Sequence, residues 1–337
     1  MVHVVAVVAA AFLSGSGAAS GQPSFEGKVV RILVGFGPSG GFDTYARVVG
    51  RHLGEHIPGN PTVIVDNMPG AGGLVMSNYL YNIAEPDGLT VGHINGAQIL
   101  GQPLGQPGIA FDARKFEYLG AAVKTDVVCS LSKVRRISSV SQWHAARRPV
   151  KLGGSGPGAT PDNSAHILKA VLGLPIQVVS GYKGTSAIRL AVESGEIDGA
   201  CWSWESMRVT WRKALEAQAV VPIVQFVAKP LPDLPNVPLA TSLATSEEAR
   251  QLIRLAVQNA GVLARPFALP PRTPPERVAM LRKAFMDTLK DPAFLADAAK
   301  ARLTIDPVSG EEMARLVDEE LSLSPELVAK LKKILYQ

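Results

Sequence analysis

Residues 34–43 read "VGFGPSGGFD" and lie between an apolar run, Val29–Val34, and a stretch with helical periodicity near Thr44–Leu53. Gly35, Gly37 and Gly40 spell G-x-G-x-x-G, the spacing of a turn that carries a strand into a helix beside a bound phosphate. A second apolar run, "TVIV", ends on Asp66, about where a dinucleotide-binding fold keeps its ribose-binding acid. Two readings follow. The turn belongs to a nicotinamide enzyme, or it holds some other anion.

The flanking sequence extends the pattern. "TVIV" leads through "DNMPGAGG" into a helix near Leu74–Ile83, and "PDGLTVGHIN" supplies a third strand. This β-α-β-α-β order predicts a parallel sheet with its ligand loops at the carboxyl ends of the strands. The middle of the chain repeats the plan. "VKLGG" enters the turn "SGPGATPDN", and a helix runs to about Leu172, with Gly173 as its stop. "IQVVSGY" enters "KGTS" and a helix near Ala187–Glu193, and "GEIDGACWSW" gives the third strand. Asp-Gly pairs, Asp87-Gly88 and Asp198-Gly199, announce both third strands. Between the units, "FEYLGAAVKTDVVCSLSKV" reads as a strand crossing from one lobe to the other, and "VVPIVQFVAKPLPDLPNVP" as the return. Further on, Val278, Leu281, Phe285 and Leu289 make one helical stripe and Leu327, Leu331 and Leu335 another. These C-terminal helices are expected to pack on the first lobe. The predicted fold is α/β, with two lobes, each a mainly parallel sheet flanked by helices, joined by two crossing strands. Lobe 1 takes residues 21–124 and 223–337, and lobe 2 takes 125–222.

The chain has 337 residues, 47% hydrophobic and 19% charged, enough apolar material for two packed cores. Its net charge is +5 with both signs interspersed, and no basic run carries interleaved aromatics, so nucleic acid is not an expected partner. Val4–Leu13 is unbroken apolar sequence, too short to span a bilayer, and small residues follow it. Residues 1–20 therefore read as a signal peptide, cleaved between about Ala18 and Gly21, although "MVH" lacks the usual Lys or Arg. A buried N-terminal strand or helix is the alternative. Cys129 and Cys201 sit in strand-like runs, where a buried thiol pair and a disulfide both remain open.

Catalytic signals are weak. "GGSGPG" carries Pro157 where a nucleophile elbow needs glycine, and the six histidines fall in no triad or metal spacing. Both halves, not one, carry glycine turns, and an exported protein meets little nicotinamide cofactor, which disfavours the dinucleotide reading. No cofactor, no metal and no enzyme activity are expected. The site looks built to hold a ligand.

At this point the sequence resembles a known family. "GFGPSGGFDTYARVVGRHL" is similar to the P-x-G-G-x-D-x-x-A-R segment of the tripartite tricarboxylate transporter solute-binding receptors, the Bug-type receptors. "VIVDNMPGAGGLVMSNYL" resembles their V-x-N-x-P-G-A-G-G element, and "AEPDGLTV" their P-D-G-x-T element. "SGPGATPDNSAHIL", "VSGYKGTSAIRLAVESGEIDG" and "LPDLPNVP" resemble later segments in the family's order. The resemblance runs from about Phe25 to the C-terminus. It implies a periplasmic-binding-protein-like, two-lobed receptor, monomeric and periplasmic, that closes on a small carboxylate and delivers it to the membrane permease subunits of such a transporter. An exported ligand sensor or an enzyme on the same scaffold is the second reading. The chain departs from the family's pattern at Ser39, Asp66, Gly181 and the tryptophan-rich "CWSWESMR".

The candidate ligand residues follow from the loops. From lobe 1 these are Phe36, Ser39, Gly40, Gly41 and Asp43, then Asn67, Ala71 and Gly72. From lobe 2 they are Ser155, Gly156, Gly158, Ala159 and Thr160, then Tyr182, Ser203 and Trp204. Asp43 either reaches the ligand through water or caps its helix, and Asn67 either orients the second loop or serves an ordinary turn. One of Trp202 and Trp204 faces the cleft, since they alternate along a strand. Neither Gly35–Asp43 nor Gly153–Asn163 contains a basic residue. The ligand's charge is therefore expected to fall to backbone N–H groups at helix starts, aided by the hydroxyls of Ser39, Ser155 and Thr160.

Overall fold

A computed structural model describes residues 24–336. The apolar N-terminal segment and its expected cleavage point lie outside the described residues.

Two sheets organise the chain. The first contains β1 (Val29–Val34), β2 (Thr62–Asn67), β3 (Thr90–His93), β4 (Glu117–Ala121), β10 (Pro266–Leu269) and β11 (Val308–Ser309), in the order β11-β4-β10-β3-β1-β2. The second contains β5 (Val127–Ser132), β6 (Val150–Gly153), β7 (Ile176–Val179), β8 (Gly199–Ser203) and β9 (Val220–Phe226), in the order β7-β6-β8-β5-β9. Each holds one parallel three-strand unit, β2-β1-β3 or β7-β6-β8, which is the repeat legible in the sequence. The strands added beside each unit are antiparallel, so both sheets are mixed rather than mainly parallel.

The crossings differ from expectation. The first is a single break, residues 122–126, between β4 in one sheet and β5 in the other. The expected return strand, β9, stays in the second sheet as an edge partner of β5. The chain goes back only after the helix Glu247–Ile253 and the wound segment Arg254–Asn259, entering β10 of the first sheet. The two passages touch where the Thr125 N–H donates to the Gly261 carbonyl at 2.9 Å. At Gly261 a side chain would run into the Thr125 carbonyl, so only glycine lets them meet.

Residues 223–337, expected together in one lobe, divide between the two. The helices Pro275–Thr288 and Pro292–Lys300 bury Val278, Leu281, Phe285, Leu289 and Phe294 against the first sheet. The helix Gly310–Glu320, capped by Ser309 as its Oγ accepts from the Glu312 N–H at 3.2 Å, covers that sheet's other face with Met313 and Val317. The last helix, Pro325–Tyr336, instead buries Leu331 and Leu335 with the core of the second sheet. Burying one leucine is worth about 1.5–3 kcal/mol. The C-terminus is thereby a third tie between the lobes. No helix of the described residues is long and apolar enough to cross a membrane.

Cys129 and Cys201 face each other on β5 and β8 and are joined by a disulfide. Both are fully buried in the core of the second lobe.

Candidate functional site

The two glycine turns are built alike. In the helix Gly41–Leu53 the third residue, Asp43, turns back so that Oδ2 accepts from the Ser39 N–H at 2.8 Å. In the helix Thr160–Leu172 the third residue, Asp162, accepts from the Ser155 and Gly156 N–H groups at 2.7 and 3.1 Å. Ser180 also donates to Asp162 Oδ1. Asn67 completes the first turn by donating to the Phe36 carbonyl and to Asp43 Oδ1, both at 2.9 Å. Burial pushes the Asp43 carboxyl up, but Arg47, the Ser39 N–H and Asn67 outweigh it and hold the group below its ordinary value. At Asp162 burial wins over the hydrogen bonds and the carboxyl is raised.

Across the cleft the turns meet. The Gly37 N–H donates to the Lys183 carbonyl at 2.6 Å, the Gly41 N–H to Thr185 Oγ at 3.3 Å, and Gln106 Nε2 to the Pro157 carbonyl at 2.7 Å. Gly72, at φ 65°, lies so close to Ala159 that a Cβ there would sit 3.1 Å from the alanine methyl. The N–H groups expected to cradle an anion are thus largely engaged within the protein.

Two neighbouring cavities between the lobes adjoin the glycine turns. The inner one is narrow, about 40 Å³, and its walls include Phe36, Phe42, Pro161, Trp202 and Ala264. The starts of three helices, at Gly40–Gly41, Thr160–Pro161 and Gly184–Thr185, open onto it, each bringing the positive end of a helix dipole. The outer one, about 340 Å³, lies between the Gly70–Gly73 turn and the segments Ser155–Pro157 and Ser180–Lys183. Phe36 and Ser155 line both, so the two cavities are neighbours.

Of the residues expected from sequence, Phe36, Gly40, Gly41, Ser155, Thr160 and Ser203 line the inner chamber. Ala71, Gly72, Gly156 and Tyr182 line the outer cavity. Six line neither. Ser39, Asp43 and Asn67 hold the first turn in shape. Gly158 packs against the Gln106 side chain, and Ala159 lies under Gly72. Trp204 turns away, its indole N–H donating to Asp233 at 3.3 Å, and Trp202 takes the place on the chamber wall. Asp66, the ribose-acid candidate, pairs with Arg31 at 3.0 Å on the surface.

The sequence reading missed the chamber's cation. Arg265 lies just before β10, more than two hundred residues beyond the first turn, and is almost completely buried on the chamber wall. The expectation that backbone N–H groups alone meet the ligand's charge is corrected here, because the N–H groups of Gly37, Ser39, Gly41, Ser155 and Gly156 already have acceptors and a guanidinium is present. The signal was a lone arginine inside the apolar stretch "GVLARPFAL". Ser206 and Thr125 of the chamber wall were missed as well. Nearby, burial followed by the charge of Arg265 keeps His93 well below its ordinary value and therefore neutral. Burial, then the charge of Asp126, pushes Glu205 up to about 7. Among the described residues no cluster of three His, Cys, Asp or Glu side chains could hold a metal ion.

The profile of the tripartite tricarboxylate transporter family receptors matches residues 46–332. Among solved structures, the periplasmic binding protein BugD superposes with a TM-score of 0.72 at 19% identity, over 91% of this chain and 97% of that one. MatC from Rhodopseudomonas palustris with bound malate gives 0.72 at 20% identity, over 91% and 98%. A protein of R. palustris with adipate gives 0.70 at 23% identity, over 90% and 97%. At these identities the likeness is one of fold.

Proposed function

The chain belongs to the tripartite tricarboxylate transporter receptor family, and on that premise we propose that it is an exported receptor that captures a small carboxylate between its lobes. It then hands the ligand to the membrane permease subunits of a tripartite transporter. The observation that carries this reading is the inner chamber, where three helix starts and a buried guanidinium converge on one apolar space. Such an arrangement favours an anion whose body is dehydrated on binding. Malate in one neighbour and adipate in another agree with a carboxylate ligand. The Cys129–Cys201 disulfide fits an oxidising compartment, as a periplasmic protein would meet. The receptor acts as a monomer, without cofactor or catalysis.

A thermal-shift screen of the protein against carboxylates and NAD tests the reading. Stabilisation by one or a few carboxylates is the expected result, and stabilisation by NAD alone would overturn it. Intact mass of the protein recovered from the periplasm tests export: loss of the first 18–20 residues is expected, and retention of Val4–Leu13 would count against it.

A further inference from the structure

Arg265 is only 3% exposed. Its Nη2 donates to Ser203 and Ser206 Oγ, each at 2.5 Å, and its guanidinium carbon lies 4.8 Å from the ring centres of both Phe42 and Tyr45. Its Nε and Nη1 are buried without any partner. All three nitrogens are accounted for without one carboxylate acceptor. A buried cation with unmet N–H groups is costly, and the cost is offset when an anion arrives. Trp202 Nε1 and Thr125 Oγ are likewise buried and unpartnered, and both residues line the same chamber. The indole and guanidinium groups only donate, which suits an acceptor-only carboxylate.

The walls also say what is refused. No acidic side chain lines either cavity. An ammonium group in the chamber would face a guanidinium and three positive helix ends. Glu205 attracts Arg265 through space but is not on the chamber wall. The inner volume holds roughly three waters, which is room for a carboxylate and its first carbons. Phe36 and Ser155, which line both cavities, lie where a longer ligand would extend toward the outer one. Building on the receptor reading above, we propose that Arg265 anchors the ligand's carboxylate beside the lobe crossings. The ligand is a carboxylate with an apolar body and no ammonium group, so amino acids are excluded.

Calorimetric titration of the full chain with phenylacetate, phenylacetamide and 2-phenylglycine tests this, because the three differ little except in charge. Phenylacetate should bind, and the amide and the amino acid should bind on the order of a hundredfold more weakly or not at all. Arg265→Lys keeps the charge but loses the fork, and should weaken phenylacetate about tenfold. Arg265→Gln should remove binding while far-ultraviolet circular dichroism stays native. If the glutamine variant fails to fold, the lysine variant and the acid–amide comparison decide the question. A folded Arg265→Gln protein that binds phenylacetate as tightly as the wild type would overturn the proposal and make Arg265 a purely structural cation between two rings. Tighter binding of 2-phenylglycine or aspartate than of phenylacetate would overturn the ligand class and leave the receptor reading standing. Binding of no carboxylate in the wider screen would overturn both.

Discussion

Asp43 and Asp162 occupy the same position in helices of opposite lobes, third from the start, and each folds its carboxylate back onto the glycine turn before it. The pseudo-repeat seen in the sequence is therefore repeated in its hydrogen bonds. Each aspartate spends its acceptor capacity on the protein, which leaves the cleft without a free carboxylate. The turns acquire a fixed shape, and the cleft an overall positive character.

Removing one of these carboxylates should loosen its turn. Asp162→Ala deprives the Ser155 and Gly156 N–H groups of their acceptor. A hydrogen bond to a charged group is worth roughly 1.5–3 kcal/mol, so a loss of about 3 kcal/mol and a drop of several degrees in Tm are expected. Asp162→Asn keeps one acceptor oxygen and should lose about half as much. Scanning calorimetry of the three proteins checks the order, and an unchanged Tm for Asp162→Ala would remove the turn-holding role.

The disulfide closes a long loop, since Cys129 and Cys201 are 72 residues apart in sequence. Loop-closure entropy for that span is worth about 4 kcal/mol in the unfolded chain. Urea unfolding with and without reductant should therefore differ by a few kcal/mol. Identical curves, with reduction verified by thiol titration, would show that the bond contributes little.

Much of the fold was legible because its signals are local. The runs at Val29–Val34, Thr62–Val65, Val150–Gly153 and Ile176–Val179 became strands, and the glycine turns behind them became the cleft. The placements that failed depend on long-range contacts. The stripe Leu327, Leu331 and Leu335 reveals an apolar face but not which sheet it covers, and it joined the second core. β9 carries an apolar run that suits a crossing, yet pairing with β5 kept it in the second sheet. Trp202 and Trp204 are expected to alternate along a strand, but β8 ends at Ser203 and Trp204 opens the following helix. The strand pattern therefore could not say which one reached the chamber; Trp202, with its ring centre 4.4 Å from that of Trp211, did. Arg265 was hidden by distance along the chain. It belongs to no motif.

Glu205 should make stability depend on pH. Burial and then the Asp126 charge raise its carboxyl from an ordinary 4.5 to about 7 in the folded protein. Between those values the folded state holds a proton that the unfolded state has released. Its stabilising effect is complete below about pH 4.5 and is lost as pH rises through 7. At about 1.4 kcal/mol per unit the effect is roughly 3 kcal/mol. Glu320, raised to about 7 by burial alone, acts in the same direction. Tm should fall from pH 5 to pH 8, and Glu205→Gln should flatten about half of that slope. A Glu205→Gln profile parallel to the wild type would show that this carboxyl does not hold its proton.

Gly41 offers a test of lobe closure, because its two expected effects have opposite signs. It is the first residue of its helix, and alanine in a helix is favoured over glycine by up to about 1 kcal/mol. With the lobes in contact as they are in this structure, however, a Cβ at this position would run into Ser206 Oγ and lie 3.2 Å from Arg265 Nη2. Ser206 follows β8 of the second sheet, so the collision is between lobes. If the lobes part when no ligand bridges them, Gly41→Ala should leave the ligand-free protein as stable as the wild type or slightly more so. It should also weaken binding of whichever carboxylate the screen identifies by at least about tenfold, a deficit of about 1.4 kcal/mol. Small-angle scattering should show the wild type contracting about the Thr125–Gly261 contact at saturating ligand and the variant contracting less. Equal affinity and equal contraction in the two proteins would mean that ligand capture does not bring Gly41 and Ser206 together.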